Sequence, residues 1–376
     1  MGPLLTLNLD GTERQVHNDL WRIWLLPGEP EPGVVIRVQI DPEAAIRWEE
    51  LNRLPGLCEL RYGGRDPRVQ EYLAARHGIT RLAWSGHGQS LLDLSASHLG
   101  EFSFDCGELP LEVRLPAAGT LRHLALAPPV DSTALRIHAP EQGAGIYLRE
   151  GSQNLPEGAY ALAGLERLHA LSLFNVKQVR LERLLPYQEL EELTIIGPPG
   201  EIVDIERLAA FPKLRRVVLR ECYDLNAASL PPASAFPALE SVEIDGIRQT
   251  DAAMLTQRLA GLRQLSIRGK RTDAWLRANL QNYFREWSDD YGPTVGKAAM
   301  AAYRKVTLAL DGAQGDPEKI RAALQLFVAA FNRLSARDPF DTIQREQVGD
   351  AFYELAERVA IPIATTREWF DEWEDL

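Results

Sequence analysis

The sequence predicts an α/β solenoid of stacked parallel strands followed by an all-α helical bundle. Two observations carry that expectation. From Leu168 to Ile267 one apolar phrase, L-x-x-L-x-L, returns five times, starting at Leu168, Leu190, Leu214, Leu239 and Leu262, in steps of 22, 24, 25 and 23 residues. After Gly269 the phrase stops and the apolar spacing turns helical, with Leu276, Leu280, Tyr283, Phe284 and Trp287 on one face. The expected organisation is an N-terminal cap over 1–34, a solenoid over 35–270 and a helical domain over 271–376.

The cap comes first. Leu4 to Leu9 and Trp21 to Leu26 both alternate apolar with polar residues, which predicts a hairpin covering the first repeat's open edge, and 29–33 reads as a turn. The phrase then begins in weaker form at Val35, Leu57, Ile79, Leu99, Leu121 and Gly143. In each copy the last residues alternate inward apolar with outward variable, so each copy is a short strand. One repeat cannot bury its own leucines, so the unit of folding is the stack.

The return segments differ along the array. Pro42 to Leu51 and Pro67 to Arg76 read as helices, each behind an aspartate that can cap the first turn. Leu91 to Leu94, Leu111 to Leu115 and Ala134 to Ile137 alternate with period two and read as strands. Helical or irregular returns are expected again after about 180, with curvature flatter in the middle than at the ends.

The phrase and its period resemble the leucine-rich-repeat family, in a bacterial type with a helical C-terminal domain. The resemblance implies a horseshoe with parallel strands on the concave face, and a binding function. In that family Asn or Cys usually stands three places after the third apolar residue. Here only Cys222 does so, while Val176, Pro198, Ile247 and Lys270 occupy the equivalent places.

The tail reads as five helices. After the first, a second runs from Pro293 to Leu310 and a third opens on Asp316 and Pro317, a capping residue followed by proline in the first turn. A fourth carries Val348, Phe352 and Leu355. The fifth opens on a Thr365-to-Glu368 capping box and shows Trp369, Phe370 and Trp373, read as core.

Composition bounds the function. Net charge is −12, so no nucleic-acid partner is expected, because phosphate binding needs a basic face. Only six of the 41 basic residues are lysine, the bias of a GC-rich bacterial genome. Three scattered cysteines, Cys58, Cys106 and Cys222, fit a reducing compartment, and no apolar run is long enough to span a membrane. A cytoplasmic, monomeric protein is expected. No metal-binding, phosphate-binding or dinucleotide motif is present, and the tail holds neither cysteine nor histidine. His87 and His98 flank Asp93, but on different segments. No catalytic residue, metal or cofactor is therefore expected, and the chain reads as a non-enzyme.

What remains is a surface. The variable residues of each strand project from the concave sheet. Its ends are charged, and its middle is small or apolar. The expected partner-binding residues are His123, Tyr147, Arg149, Phe174, Ile196, Arg216 and Arg220, aromatic anchors ringed by arginine. The expectation is a protein-binding protein of immunity or inhibitor type that sequesters a bacterial toxin or enzyme. The alternatives are a secreted effector with an activity in its helical tail, or a regulatory scaffold.

Overall fold

A computed structural model describes residues 2–28, 37–107, 110–151, 155, 158–197 and 199–376. The expected turn at 29–33, the opening residues Val35 and Ile36 of the first phrase, and Pro198 lie outside the described residues. The chain divides into two compact units, Met1–Arg271 and Thr272–Leu376.

The first unit begins with β1 (Leu4–Asn8), β2 (Glu13–His17), β3 (Arg22–Leu26), β4 (Arg37–Gln39), β5 (Glu59–Tyr62), helix α1 (Val69–Ala75) and β6 (Arg81–Trp84). It continues with β7 (Leu91–Asp93), β8 (Glu101–Asp105), β9 (Leu111–Arg114), β10 (His123–Ala127), β11 (Leu135–His138), β12 (Tyr147–Gly151) and β13 (Ala170–Phe174). Then follow β14 (Gln178–Arg180), β15 (Glu192–Ile196), β16 (Glu201–Val203), β17 (Arg216–Arg220), β18 (Asp224–Leu225), β19 (Ser241–Arg248), α2 (Gln249–Arg258) and β20 (Gln264–Arg271).

Among the described residues twelve strands form one sheet, in the order β20-β19-β17-β15-β13-β12-β10-β8-β6-β5-β3-β4. Every neighbouring pair is parallel. The register follows the phrase: Leu82, Phe102, Leu124, Leu148, Leu171, Leu193, Val217 and Val242 stand side by side across the sheet. None of these eight is more than 5% exposed. Each such burial is worth about 1.5–3 kcal/mol against exposure, which is why the repeats stack. This is a leucine-rich-repeat solenoid. The repeats approach so closely at Gly164, with φ +89°, that a Cβ there would lie 1.8 Å from the Ile137 carbonyl oxygen.

The N-terminus departs from expectation. Trp21 to Leu26 does not pair with Leu4 to Leu9. The hairpin is β1 with β2, antiparallel, and its tight turn at Gly11 closes a far shorter loop. Strand β3 instead enters the large sheet between β4 and β5, parallel to both. Ile23 and Leu25, both fully buried, supply the inward residues of the first repeat. The solenoid sheet thus includes Arg22–Leu26, ahead of the expected start at 35, and the strand of the Val35 phrase is its edge.

The return path holds β7, β9 and β11 as a parallel three-stranded sheet, as the alternation requires. A second such sheet, β14-β16-β18, stands where helical or irregular returns were expected, because Val179, Ile202 and Leu225 also alternate inward. Short 3-10 turns, Leu181–Leu184 and Ile205–Ala210, follow β14 and β16.

The segment expected to be a helix from Pro42 holds only a 3-10 turn, Trp48–Arg53. The reason is Asp66, 7% exposed, which accepts from the Arg68 amide in the turn that opens α1, as expected, and also bonds across to the preceding repeat. Its carboxylate accepts from Ile46 N at 2.8 Å, Trp48 Nε1 at 3.1 Å and the Arg68 guanidinium at 2.7 Å. Burial alone would raise this carboxyl, but Arg68 and the N–H donors outweigh it and hold it below the usual aspartate range. Asp66→Asn should therefore lower stability by about 1–3 kcal/mol at neutral pH in chemical denaturation. A depressed carboxylate contributes fully above its unfolded pKa and loses that contribution as pH falls through the folded value. The gap between wild type and variant should accordingly shrink through the acid range; a gap constant with pH would refute this account.

The second unit contains α3 (Asp273–Asn279), α4 (Trp287–Asp290), α5 (Pro293–Ala313), α6 (Pro317–Ser335), α7 (Thr342–Arg358) and α8 (Ile363–Trp373). The single first helix expected from Leu276 to Trp287 is split in two. Asn282 breaks it, donating from Nδ2 to the Met300 carbonyl at 2.9 Å and accepting from Phe284 N at 3.1 Å. Asp316 caps α6 as expected, accepting from the Glu318 and Lys319 amides. The capping box lies at Asp341 and Gln344 of α7, not at Thr365. Helix α8 starts earlier, behind Pro362, and the buried Thr366 hydroxyl donates back to the Pro362 carbonyl. Phe284, Phe327, Phe331 and Phe352, all fully buried, centre this unit's own core. Trp369, Phe370 and Trp373 are half-buried against it, the two indoles stacked at 5.4 Å with the Arg321 guanidinium over both. Among the described residues no helix is long and apolar enough to cross a membrane.

Candidate binding surface

The strand register arranges the outward residues in rows. His123, Tyr147, Ala170, Glu192 and Arg216 form one row; Ala125, Arg149, Ser172, Thr194 and Val218 form the next. In the third row Gly151 is level with Phe174, and Ile196 with Arg220. All seven residues singled out from the sequence therefore point away from the core, on the same sheet face.

Two contacts organise them. The imidazole of His123 meets the Tyr147 ring edge-on at 5.6 Å, and the Arg149 guanidinium lies 4.7 Å from the centre of the Phe174 ring. Phe174 has room to lie flat because Gly151 stands next to it; a Cβ there would fall 3.1 Å from the ring. Arg149, Arg216, Arg220 and His123 are exposed, and Tyr147, Phe174 and Ile196 are half-buried. Arg220 is tied to Glu243 at 3.6 Å, whereas neither Arg149 nor Arg216 has a carboxylate partner among the described residues.

From the sequence alone the N-terminal end of this face reads as charged. The structure places a recess of about 470 Å³ there, over β5, β6, β8, β10 and β12. Its floor is Ala83, Ser103 and Ala125, three small outward residues in successive strands. The signal was present in the sequence as that run of small residues, but the flanking charges hid it. Those charges cancel locally: Arg81 stands 3.3 Å from Glu101 and 3.8 Å from Glu59, and Arg61 stands 3.6 Å from Glu59.

One inward position was also missed. Glu150 is fully buried in β12, between Leu126 and Leu173 of the adjacent strands. Burial first, and then the Glu150 charge among nearby groups, pushes the Tyr160 and Tyr187 phenols up; burial, Asp105 and Glu150 push the Cys106 thiol up to about 12. Cys222 occupies the turn position expected of it, fully buried, with Sγ 3.3 Å from the Arg220 carbonyl oxygen. Burial and Glu221 push its thiol up to about 12, which disfavours the nucleophilic thiolate. His87 faces the Asp105 carbonyl at 2.8 Å and Asp93 faces Ser95 and Arg114, so the structure does not bring them together with His98. Among the described residues no three histidine, cysteine or acidic side chains are placed to share a metal.

No protein-family model and no curated protein matches the chain. Among solved structures it is similar to the TLR13 chain of a TLR13–ssRNA13 complex, at 16% identity and a TM-score of 0.36 over 61% of this chain. That match spans only 35% of the TLR13 chain. It is also similar to an internalin, InlF, from Listeria monocytogenes, at 18% identity and a TM-score of 0.30, covering 63% of this chain and 68% of that one. An LRR protein of Leptospira interrogans matches at 14% identity and a TM-score of 0.26, covering 59% and 69%. The repeat architecture stands on the chain's own strand register.

Proposed function

We propose that this leucine-rich-repeat chain is a non-catalytic binding protein whose partner is another protein, held on the open face of the large sheet. The observation that carries the reading is a pair of half-buried rings on the open face, Phe174 under the unspent Arg149 guanidinium and Tyr147 edge-on to His123, with Arg216 further along the same row. Aromatic and arginine side chains of this kind dominate protein–protein hot spots. Within that class we assign an immunity or inhibitor role, sequestering a bacterial toxin or enzyme in the cytoplasm as a monomer. Stoichiometric capture requires a rigid surface and no reactive group, and burial raises the thiols of Cys106 and Cys222.

A photo-crosslinking residue at Thr194, on the open face, should capture the partner in cells of the native host. The same residue at Arg136, on the return strand β11, should not. Equal capture from both positions would refute the face assignment.

One observation favours an activity in the helical unit instead. Burial, and then Glu357, raise the Glu354 carboxyl above its usual range, with Tyr283 and Tyr303 close enough to feel its charge. Loss of the biological effect in a folded Glu354→Gln chain, with partner capture unchanged, would support that reading.

A further inference from the structure

The recess at the N-terminal end of the open face has a definite chemistry. Its rim cations are not equivalent. Arg81 is shared between Glu59 and Glu101, and Arg61 is placed between Glu59 and the Trp24 ring, 4.5 Å from its centre. Those charges are spent within the protein. Arg149 closes the other end of the same recess; it lies over the Phe174 ring and has no carboxylate or hydrogen-bond partner among the described residues. A ring face attracts a guanidinium but accepts no strong in-plane hydrogen bonds, so the N–H fork of Arg149 is still available. Two residues earlier on β12 Tyr147 also lines the recess, and its hydroxyl has no hydrogen-bond partner among the described residues. Between these donors and the compensated rim lies the floor of Ala83, Ser103 and Ala125.

We infer that this recess is the specificity subsite of the open face and receives an acidic segment of the partner protein. One Asp or Glu carboxylate is held by the Arg149 guanidinium with Tyr147 as second donor, and the neighbouring apolar side chain covers the alanine floor. The inference rests on the open-face reading above. A carboxylate is the complement of an unspent planar fork, which it engages through two parallel hydrogen bonds. A phosphate would carry more negative charge toward Glu59 and Glu101, which line the same recess. The occupant is protein-borne rather than a free acid because the site is open. The side chains of Arg61, Arg81 and Glu101 are each nearly half exposed, so a small molecule would stay largely in water, whereas bound small ligands are usually enclosed over most of their surface. Charge complementarity also separates this site from the rest of the chain. The net charge of −12 would attract a basic partner over long range, yet the subsite selects an acid at short range.

Random peptides of about twelve residues displayed on phage, selected on the full-length chain, test this. Selected peptides should be enriched in Asp or Glu next to an aromatic or aliphatic residue. Synthetic copies should lose at least about tenfold in affinity when that acid becomes its amide, and lose as much on an Arg149→Glu chain shown to be folded by circular dichroism. Placing lysine in the acid's position should restore binding to the Arg149→Glu chain, a rescue that a merely structural role for Arg149 would not give. Peptides without acid preference, peptides that bind wild type and Arg149→Glu equally, or failure to select any peptide would overturn the inference. So would free glutamate or acetate binding as tightly as the peptides, since the site would then belong to a small acid. If binding falls with Phe174→Ala but not with Arg149→Glu, the open-face reading stands and only the acid subsite fails.

Discussion

Leu171→Asp is expected to abolish the folded solenoid. Leu171 sits on β13 near the middle of the large sheet, 1% exposed, level with Leu148 on one side and Leu193 on the other. A carboxylate there would face only apolar neighbours across the sheet. Burying it unpaired costs several kcal/mol, comparable with the whole margin of about 5–15 kcal/mol by which domains are stable. The repeat stack cannot shed that cost locally, because every repeat is completed by the surface of the next. Loss of the cooperative unfolding transition, followed by circular dichroism, is the expected result. Leu171→Met, which nearly conserves volume, should cost less than about 1.5 kcal/mol and separates polarity from shape. An Asp variant that melted at the wild-type temperature would mean that this row is not the core.

The second large effect concerns the partner. Tyr147→Ala and Phe174→Ala should each weaken the complex by about 2 kcal/mol or more, roughly thirtyfold in Kd, because truncation removes most of a ring that the partner would finish burying. Phe174 is the better-supported anchor. It lies against Gly151 and beneath the Arg149 guanidinium, so it is held in place before any partner arrives. Preorganisation of that kind reduces the ordering cost of association. Arg37→Ala, on the edge strand β4, should change affinity by less than about 1 kcal/mol and act mainly through a salt-sensitive on-rate. Calorimetric titration of the three variants against the captured partner checks the contrast. Affinity that survives both ring truncations would move recognition away from this face.

The seven residues read as a binding surface do share one face, and that much was legible because side chains alternate along a strand. Which of their charges are available was not. Arg81 and Arg149 are both arginines at outward strand positions, yet one is shared by two glutamates and the other has no carboxylate partner among the described residues. Only the neighbouring strands' register distinguishes them. The same blindness hid the recess, which exists because three small residues fall side by side in strands separated by about twenty positions of chain.

The sequence by itself determined the inward rows, from Leu82 to Val242, since a period-two phrase repeated at a nearly constant interval can bury its apolar residues only by stacking. It also determined that helical spacing replaces the phrase in the tail, and the capping of α6 by Asp316. Tertiary structure alone decided that β3 enters the sheet between β4 and β5, that Asp66 bonds back to Ile46 and Trp48, and that Asn282 divides the first helix of the tail. The physical reason is common to all three. Local periodicity states which way a side chain faces, but a hydrogen bond or a strand pairing is settled by what lies across from it, and that partner is distant in the chain.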